Sequence, residues 1–407
     1  MTVATIGLDA ATYSAPTGAS RLLLTRGPSR ADHLAGHGPL PDVDKASLVA
    51  ELEASGLGGR GGAAFPTWRK LAAVDPRGRR PVVIANGAEG EPLSIKDATL
   101  LARAPHLVLD GLITVARALD AAEIHLASGP RQLASVRAAI AERTDARAVR
   151  LHETADTFVS GEASAVVNSL RGGRAVPTDR TVRLTDAGLN GRPTLVQNVE
   201  TLAHIALVVR WGAEWFRSVG TVGEPGTRLL SLTADHGTRV VEAAGGISIR
   251  RALEVAGVDT ARVAAILVGG YHGAWVPGDR LDTALSRTAL APFGASPGAG
   301  ILLAIPPEEC PLGTAARIAT YLASQSARQC GPCLNGLPRM AQTLALLAAG
   351  HTDARVDAEI HRLTALVSGR GSCHHPDGTA RFVLSTLQAF SDEVACHMDG
   401  RCGRITH

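Results

Sequence analysis

The stretch SGLGGRGGAAFPTWRKLAAV, residues Ser55–Val74, is the most informative part of the chain, because it joins a glycine-rich loop to the start of a helix. Its glycines let the backbone approach a ligand and expose N–H groups. Pro66 suits the start of a helix, so the pattern predicts a helix over 67–74. Such a loop commonly binds phosphate, and Arg60 and Lys70 would add positive charge. A purely structural turn is the alternative, because neither the GKS/T nor the GxGxxG pattern is present.

Strands alternate with helices after this loop. PVVIANG, EIHLAS and AVRLHET are typical of buried strands, and apolar helical segments separate them. This order predicts a parallel sheet covered by helices on both faces, which is an α/β fold. After about residue 222, short β-rich runs surround one helical segment, SIRRALEVAG, and this order resembles a β-grasp.

The end of the chain has a helical pattern. Helical periodicity covers four segments: 312–326, 335–349, 355–369 and 377–397. Short loops between them predict an antiparallel four-helix bundle. The sequence therefore predicts an extended lead-in, an α/β domain, a β-grasp domain and a helical bundle, with these ranges: 1–45, 46–222, 223–305 and 306–407.

Polar side chains follow several predicted strands of the α/β domain. They are Asn86, Glu89, Glu91, Glu162, Gln197 and Asn198. Each alone is compatible with a solvated turn or a helix cap. Because ligands bind at the carboxyl ends of the strands in open α/β sheets, several such loops in one domain predict a shared pocket.

Composition limits the functional classes. The chain has 407 residues, of which 45% are hydrophobic and 19% charged, as in ordinary globular proteins of two or three domains. A net charge of +3 does not indicate nucleic-acid binding. The sequence lacks an apolar run near the roughly 20 residues of a spanning helix, and it lacks a signal-peptide start. We therefore expect a cytoplasmic protein without direct membrane insertion, either free or at the periphery of a membrane complex.

Lysine and cysteine are unevenly distributed. The only lysines are Lys45, Lys70 and Lys96, and the last two fall within glycine-rich stretches. All six cysteines lie in the last quarter of the chain. In a cytoplasmic protein, metal or redox use of such cysteines is more common than a disulfide framework.

The segment SARQCGPCLNG, residues 326–336, contains two thiols around a Gly-Pro pair. This spacing is compatible with a thioredoxin-type dithiol, an iron–sulfur ligand run or a zinc site. The thioredoxin interpretation is disfavoured, because that motif follows a strand and this one lies between predicted helices. Spacing alone does not separate zinc from an iron–sulfur cluster.

Four motifs together resemble the NADH-oxidising flavoprotein subunit of respiratory complex I and its relatives in hydrogenases and formate dehydrogenases. They are SGLGGRGGAAFPTWRKL, NGAEGEPLSIKD, SGEASAVVNSLRG and GRPTLVQNVETL, in the order found in that family. The similarity extends from about residue 45 to the end. It implies a Rossmann-like FMN/NADH domain, a soluble-ligand-binding β-grasp domain and an iron–sulfur helical bundle.

The resemblance also implies the site residues. Those expected to hold FMN are Arg60, Gly61, Gly62, Lys70, Asn86, Glu91, Gly161, Glu162, Gln197 and Asn198. Phe65, Lys70 and Glu91 would contact NAD(P)H, with Glu91 and Lys70 as the catalytic candidates. The flavin carries the hydride chemistry, and the protein holds and tunes it.

The chain departs from the family pattern at the nucleotide. Ala88 and Ala163 replace two carboxylates, and Arg183 replaces an aromatic residue that stacks on adenine. Arg183 could stack on adenine as a cation, or favour the 2′-phosphate of NADPH. A third interpretation is that nucleotide binding is weak or absent.

The resemblance assigns the thiols to an iron–sulfur cluster. Cys330 and Cys333 match the second and third ligands, Cys373 matches the fourth, and Ala327 stands at the first position. His374 and His375 are adjacent candidates for the remaining ligand, with His374 preferred; the cluster would be [4Fe–4S] with such a ligand, or [3Fe–4S] without one. Zinc bound by the same Cys₃His set is the alternative.

Three further cysteines fall at the other end of the predicted bundle. Cys310 precedes the first helix, and Cys396 and Cys402 lie at the end of the fourth. They are either ordinary buried thiols or part of a second metal site.

The function implied is oxidation of NAD(P)H at FMN, with electrons passing through the cluster to a protein partner. A small iron–sulfur or ferredoxin-like protein is the expected partner, in a hetero-oligomer. The alternative is a non-enzymatic scaffold with a decayed nucleotide site and a structural zinc or cluster.

Overall fold

Two β-sheets and a helical C-terminal region make up the computed structural model, which describes residues 13–14, 20–74, 78–179, 182–351 and 355–404. The strands are β1 (Tyr13–Ser14), β2 (Val82–Gly87), β3 (Glu123–Ser128), β4 (Val149–Glu153), β5 (Thr194–Asn198), β6 (Thr227–Ala234), β7 (Gly237–Ala244), β8 (Ala265–Val268), β9 (Ala274–Pro277) and β10 (Ile301–Ile305). The helices are α1 (Arg30–His37), α2 (Lys45–Ser55), α3 (Thr67–Ala72), α4 (Lys96–Arg103), α5 (Pro105–Ala118), α6 (Pro130–Ala141), α7 (Ala163–Leu170), α8 (Leu184–Ala187), α9 (Val199–Arg217), α10 (Ile249–Val255), α11 (Arg287–Leu290), α12 (Pro311–Ser324), α13 (Leu337–Ala348), α14 (Val356–Val367), α15 (His375–Ala389) and α16 (Ser391–Met398).

The first sheet is parallel throughout, with strand order β4–β3–β2–β5. β2 is buried on both faces, which is why its sequence is continuously apolar. Val83 and Ala85 face the large core formed with α2, α4, α5 and α9, whereas Val82 and Ile84 face a smaller core with α7. The predicted α/β fold with a parallel sheet is therefore confirmed.

The second sheet is mixed, with strand order β1–β7–β6–β10–β8–β9. One face packs on α10, which lies between β7 and β8 in the chain. The other face packs on the helical region, where Trp275 of β9 donates its backbone N–H to Ser385 Oγ at 2.8 Å and its indole N–H to Thr386 Oγ1 at 3.1 Å. The mixed sheet thus connects the parallel sheet region to the C-terminal helices.

The N-terminal segment is not wholly extended. α1 interrupts the predicted lead-in, and Leu22 and Leu23 are buried in the main core. The carboxylate of Glu242 accepts the backbone N–H groups of Arg21 and Leu22, each at 2.9 Å, and this attaches the segment to β7. Residues 1–12 and 15–19 of the lead-in lie outside the described residues.

The last predicted helix is divided in two. α15 ends at Ala389 and α16 begins at Ser391, because Phe390 leaves the helical conformation at φ −123° and ψ 38°. The buried Phe390 ring packs edge-on against Trp275 with the ring centroids 5.2 Å apart. The described residues from 311 to 398 therefore form five helices rather than the four predicted.

Within the described part of the chain, no single helix has both the length and the apolar composition needed to cross a membrane. α4 and α5 meet these requirements only as a pair, and they are bent by 94° relative to each other. Both helices contribute side chains to the main core.

Candidate functional site

A cavity of about 950 Å³ lies where the parallel sheet, the mixed sheet and the helical region meet. Its wall includes the carboxyl ends of β2 and β5, as expected for an open parallel sheet. The cavity brings together most of the residues singled out from the sequence: Gly61, Gly62, Phe65, Lys70, Asn86, Glu89, Glu91, Gly161, Glu162, Gln197, Asn198, Cys373 and His374.

The glycine-rich loop is closed by its own backbone. Gly59 N–H donates to the carbonyl of Phe65 at 2.9 Å, and Gly62 has a φ of +115°, which favours glycine. α3 begins at Thr67 as predicted and ends at Ala72. The Phe65 side chain is 52% exposed at the cavity wall, so this ring is open to a ligand.

Lys70 extends from α3 to the cavity wall. Its ammonium donates to the carbonyl of Val196 in the middle of β5, at 2.5 Å. Burial lowers the pKa of Lys70 to about 8, and the nearby Glu162 carboxylate opposes this shift. The cavity therefore holds an ammonium group with few water contacts, which strengthens its attraction for an anion.

Glu91 is held against a turn between β8 and β9. Its Oε1 accepts the backbone N–H of Tyr271 at 2.6 Å. Gly270 has a φ of +79°, and a Cβ there would lie 2.3 Å from Glu91 Oε1, so the carboxyl group needs glycine at this position. Burial raises the pKa of Glu91 to about 8, and Glu89 adds to this shift. Glu91 is therefore largely protonated at neutral pH and can donate a hydrogen bond.

Glu89 borders the cavity, but its carboxylate accepts hydrogen bonds from the protein itself. Its Oε1 accepts the hydroxyl of Ser94 at 2.5 Å and the N–H of Asp97 at 3.0 Å, and its Oε2 accepts the N–H of Ala98 at 2.9 Å. The carboxylate thus satisfies the first turn of α4.

Hydrogen bonds of Asn86 and Glu162 order one part of the cavity wall. Asn86 Nδ2 donates to the carbonyl of Gly161 at 2.9 Å. Glu162 caps α7, because its Oε2 accepts the N–H of Ser164 at 2.8 Å and that of Ala165 at 3.3 Å. These contacts connect the end of β2 to the start of α7.

Gln197 and Asn198 end β5 at the cavity, and they differ in their hydrogen bonding. Asn198 caps α9 through the N–H groups of Glu200 and Thr201. Gln197 is 4% exposed, and its Nε2 has no hydrogen-bond partner among the described residues. Because a buried unsatisfied amide costs about 1–3 kcal/mol, this donor indicates a ligand acceptor in the cavity.

A buried ion cluster that no sequence motif indicated lies beside the cavity. Lys96 Nζ donates to Asp97 Oδ1 at 2.7 Å and to Glu200 Oε2 at 2.8 Å, with the Lys96 side chain 2% exposed. Asp97 Oδ2 accepts Asn198 Nδ2 at 2.6 Å, and Glu200 Oε1 accepts the N–H of Leu229 at 2.8 Å. The only signal in the sequence was the rarity of lysine.

Lys96 and Glu200 sustain each other's charges, whereas burial raises the pKa of Asp97 to about 7 although Lys96 opposes the shift. Burial alone lowers the pKa of Lys96, but Asp97 and Glu200 outweigh burial and raise the pKa above its usual value. Burial alone would raise the pKa of Glu200, but the positive charge of Lys96 outweighs burial and holds the pKa below its usual range. The ammonium therefore stays charged inside the protein.

Two arginines predicted to contact the ligand lie elsewhere. The Arg60 side chain is buried away from the cavity wall, and its Nη2 donates to the carbonyls of Pro225 at 3.2 Å and Thr227 at 3.0 Å. Its backbone N–H donates to Thr201 Oγ1. Arg60 thus joins the glycine-rich loop to β6, and its side chain does not line the cavity in which the resemblance expects FMN. Arg183 is exposed at the start of α8 and is not part of the cavity wall.

Cys330, Cys333 and Cys373 come together at one end of the helical region. Cys333 lies in a π-helical turn before α13, and Cys373 lies before α15. Burial, then the neighbouring Cys330 and Cys373 thiols, raises the pKa of Cys333 to about 12. Ala327, at the position of the missing ligand, is buried against Val159. Three adjacent sulfur donors fit an iron–sulfur cluster in their chemistry.

The spacing of these thiols bears on the zinc alternative. Tetrahedral zinc brings two thiolate sulfurs to about 3.8 Å of each other. Among the described residues, the only set of three or more potential ligand atoms that all lie within 4.8 Å of one another is found elsewhere in the helical region. Cys330 and Cys333 nevertheless lie close enough to interact through their thiols, so zinc remains the alternative to a cluster at this set.

Three histidines, His272, His374 and His375, line the same cavity as Cys373. His375 has both ring nitrogens engaged, with His272 Nε2 at 3.1 Å and the carbonyl of Leu322 at 2.9 Å. The His374 side chain is 77% exposed and lies 3.9 Å from Asp377. His272, from the turn between β8 and β9, had no signal in the sequence.

Comparison with known proteins matches both regions. A model of the Nuo51 FMN-binding domain matches residues 52–207, and a model of the NADH-ubiquinone oxidoreductase-F iron-sulfur binding region matches residues 313–397. An NADH-quinone oxidoreductase subunit of Rhizobium meliloti is 29% identical over 375 residues, which cover 87% of this chain and 89% of that protein.

Two other proteins extend the comparison. The NADP-reducing hydrogenase subunit HndC of Solidesulfovibrio fructosivorans is 27% identical over 381 residues, covering 88% of this chain and 77% of that protein. The crystal structure of an NAD⁺-reducing [NiFe]-hydrogenase in the H₂-reduced state superposes with a TM-score of 0.82 at 25% identity, covering 95% of this chain and 68% of that one.

Replacing Lys96 with Met tests the buried ion cluster. The substitution leaves the carboxylates of Asp97 and Glu200 buried without their cation, so we expect a loss of about 3–5 kcal/mol in the free energy of unfolding. Lys45→Met is the control, because Lys45 is half-buried and makes one hydrogen bond, to the carbonyl of Val74. Equal shifts in the urea midpoints of the two variants would contradict this interpretation.

The raised pKa of Glu91 predicts a pH dependence of stability. The pKa of Glu91 is about 8 in the folded protein and near 4.5 in the unfolded chain. The contribution of this group to the free energy of unfolding is therefore complete below pH 4.5, and it is lost as the pH rises from 4.5 to 8. The slope is at most about 1.4 kcal/mol per pH unit. Glu91→Gln keeps the acceptor for Tyr271 and removes the titration. The urea midpoint of the wild type should therefore fall between pH 5 and pH 8 relative to that of Glu91→Gln, and parallel curves would refute the assignment.

Proposed function

Because the chain belongs to the family of FMN- and iron–sulfur-binding subunits of NADH-ubiquinone oxidoreductase, we propose that its cavity binds FMN and NAD(P)H and that Cys330, Cys333 and Cys373 hold the cluster. The activity is that of an oxidoreductase. The observation that carries the proposal is that one cavity is lined both by the glycine-rich loop and by Cys373. Donor and acceptor groups would thus share a single compartment.

The cavity wall supports FMN in three ways. Gly61 and Gly62 leave room for close backbone approach, and the Gln197 amide offers an unpaired buried donor. Lys70 supplies positive charge from the side of β5. Bound there, FMN would accept two electrons from NAD(P)H and release them singly to the cluster.

Glu91 and Phe65 are the residues we assign to the nucleotide. Glu91, largely protonated at neutral pH, would donate a hydrogen bond, and the Phe65 ring would pack on the incoming nicotinamide nucleotide. Ala88 and Ala163 remove two carboxylates from this region. We keep Arg183, which is exposed outside the cavity wall, as a candidate for binding the 2′-phosphate of NADPH, and comparing NADH with NADPH in the Arg183→Ala variant tests this role.

We assign the remaining cluster position to His374. The full engagement of His375 by His272 and the Leu322 carbonyl supports this choice. An imidazole in place of a thiolate removes one negative charge from the cluster and raises its reduction potential.

The arrangement of units and partners follows the same family. We propose that the mixed sheet with α10 is a β-grasp domain between about residues 223 and 305, followed by the helical iron–sulfur region.

Because the relatives are subunits of larger complexes, the chain works in a hetero-oligomer. Leu334, next to the ligand Cys333, is 47% exposed, which supports docking of a small iron–sulfur protein here; loss of electron transfer to such a protein in Leu334→Asp would test it.

The scaffold alternative makes different demands on the cavity. A decayed nucleotide site would not need an unpaired buried amide at Gln197 or a desolvated ammonium at Lys70. The replacements at Ala88 and Ala163 remain its main support.

Flavin binding is tested on the anaerobically purified chain. We expect yellow-brown protein whose flavin absorbance is bleached by NADH or NADPH. Lys70→Ala should weaken FMN binding about 10–100-fold, because a charged hydrogen bond is worth about 1.5–3 kcal/mol. Fluorescence titration of the apoprotein with FMN measures this change.

Arg69→Ala is the matched control for Lys70→Ala. Arg69 is exposed on the same helix and lies outside the cavity wall, so its loss should leave FMN affinity unchanged. Colourless protein, or equal FMN affinity in the two variants, would remove the phosphate-side assignment of Lys70.

The cluster assignment predicts about four irons per chain in the wild type and loss of iron in Cys333→Ser. His374→Ala should release one iron and give the EPR signal of an oxidised [3Fe–4S] cluster. His361→Ala, on the exposed side of α14, serves as the control. A chain with zinc and no iron at these thiols would favour the scaffold, and an unchanged spectrum in His374→Ala would remove His374 as ligand.

A further inference from the structure

A second group of metal-ligating side chains lies at the opposite end of α12 from the cluster cysteines. The group consists of Cys310, Glu393, His397 and Cys402, and one potential ligand atom of each lies within 4.8 Å of all the others. Cys310 precedes α12, whereas Cys330 follows it. Because α12 has 14 residues, the two thiol groups are separated by about 20 Å of helix. This group is therefore distinct from the cofactor cavity.

The distances within the group match those between the corners of a small coordination tetrahedron. Cys310 Sγ lies 3.5 Å from His397 Nε2, Cys402 Sγ lies 3.2 Å from Glu393 Oε1, and His397 Nε2 lies 3.2 Å from the same oxygen. Around tetrahedral zinc, ligand atoms of these types are about 3.3–3.8 Å apart. Small movements of the side chains would therefore allow all four atoms to bind one ion.

The local structure explains why these residues converge. Glu393 and His397 are four residues apart on α16 and so share one face of that helix. Cys310 caps the start of α12, where its sulfur accepts the N–H of Gly313 at 3.4 Å. Cys402 follows α16 in the turn that returns to the same place. Three separate parts of the chain thus contribute ligands.

Neighbouring groups orient the two buried ligands. His397 is 4% exposed, and its Nδ1 lies 3.2 Å from the carbonyl of Leu347. Donation of the Nδ1 proton to this carbonyl leaves the Nε2 lone pair directed at the group, which is the usual arrangement of a metal-binding histidine. Glu393 is 7% exposed, and its Oε1 accepts the N–H of Gly403 at 2.9 Å.

The charge of the group also calls for a cation. Bound to an ion as two thiolates and a carboxylate, the group would carry three negative charges, and one cationic group, Arg404, lies beside it with Nε 3.7 Å from Glu393 Oε2. Buried charges require compensation, and a divalent ion supplies most of it. Two sulfurs, one imidazole and one carboxylate favour zinc over the hard cations magnesium and calcium, which prefer oxygen ligands.

We propose that Cys310, Glu393, His397 and Cys402 form a structural zinc site. Four protein ligands close the coordination sphere, so the ion stabilises the fold and has no open position for a substrate. Zinc would fasten α16 and the segment after it to the start of α12, where the chain leaves the mixed sheet.

Metal analysis of the full chain, expressed with zinc and purified without chelators, tests the site. The wild type should hold about one zinc per chain in addition to its iron, and Cys310→Ser and Cys402→Ser should retain less than about a tenth of that zinc. Cys396→Ser is the matched control, because Cys396 lies on α16 between the two buried ligands without belonging to the group. Its zinc content should equal that of the wild type, and iron should be unchanged in all variants.

Several outcomes would overturn the proposal. The first is wild-type protein without zinc, and the second is an equal loss of zinc in Cys396→Ser. The third is loss of the zinc in Cys330→Ser while Cys310→Ser retains it. The fourth is a disulfide between Cys310 and Cys402 in protein that was alkylated at lysis.

A measurement on the wild type keeps the test independent of the variants. Cobalt exchanged into the zinc site should show the d–d bands of a tetrahedral ion together with thiolate charge-transfer absorption. Chelation of the zinc should make Cys310 and Cys402 newly reactive toward a thiol reagent, as identified by peptide mass spectrometry. Octahedral cobalt spectra, or unchanged reactivity of both thiols, would refute the site. The flavin test of the proposed function does not depend on this result.

Discussion

The buried ammonium of Lys96 is the constraint on which the rest of the structure depends. It joins Asp97 at the start of α4 to Glu200 at the start of α9, and Glu200 in turn accepts the N–H of Leu229 in β6. The parallel sheet region is thereby fixed to the mixed sheet beside the cavity. A buried charge of this kind is tolerated only when all its partners are in place, so the relative position of the two sheets is sharply defined.

Much of the architecture follows from local sequence. β2 could be predicted because its apolar run, which ends in a glycine turn, is typical of a buried parallel strand. The break at Phe390 could not, because the helical periodicity continues through it and the cause is packing of its ring on Trp275, a residue more than a hundred positions earlier. The order of the elements can thus be predicted from local sequence, whereas the break in a helix depends on tertiary packing.

The candidate site shows the same division. Asn86 and Gln197 lie on the cavity wall as predicted, because the carboxyl ends of parallel strands share one edge of a sheet. Arg60 was assigned to the ligand from its place in a glycine-rich loop, yet its guanidinium satisfies two buried carbonyls of another element. The direction in which a long side chain extends depends on such distant acceptors. His272 reaches the cluster end from a turn with no motif at all.

The cavity wall is assembled from regions far apart in the chain, from the glycine-rich loop to the turn that carries Cys373. A ligand that touches all of them binds only the assembled form, and by mass action it must therefore favour assembly. Maturation and holoenzyme formation are in this way thermodynamically linked: docking of the C-terminal helices raises affinity for the prosthetic group, and the prosthetic group holds those helices in place by the same free energy.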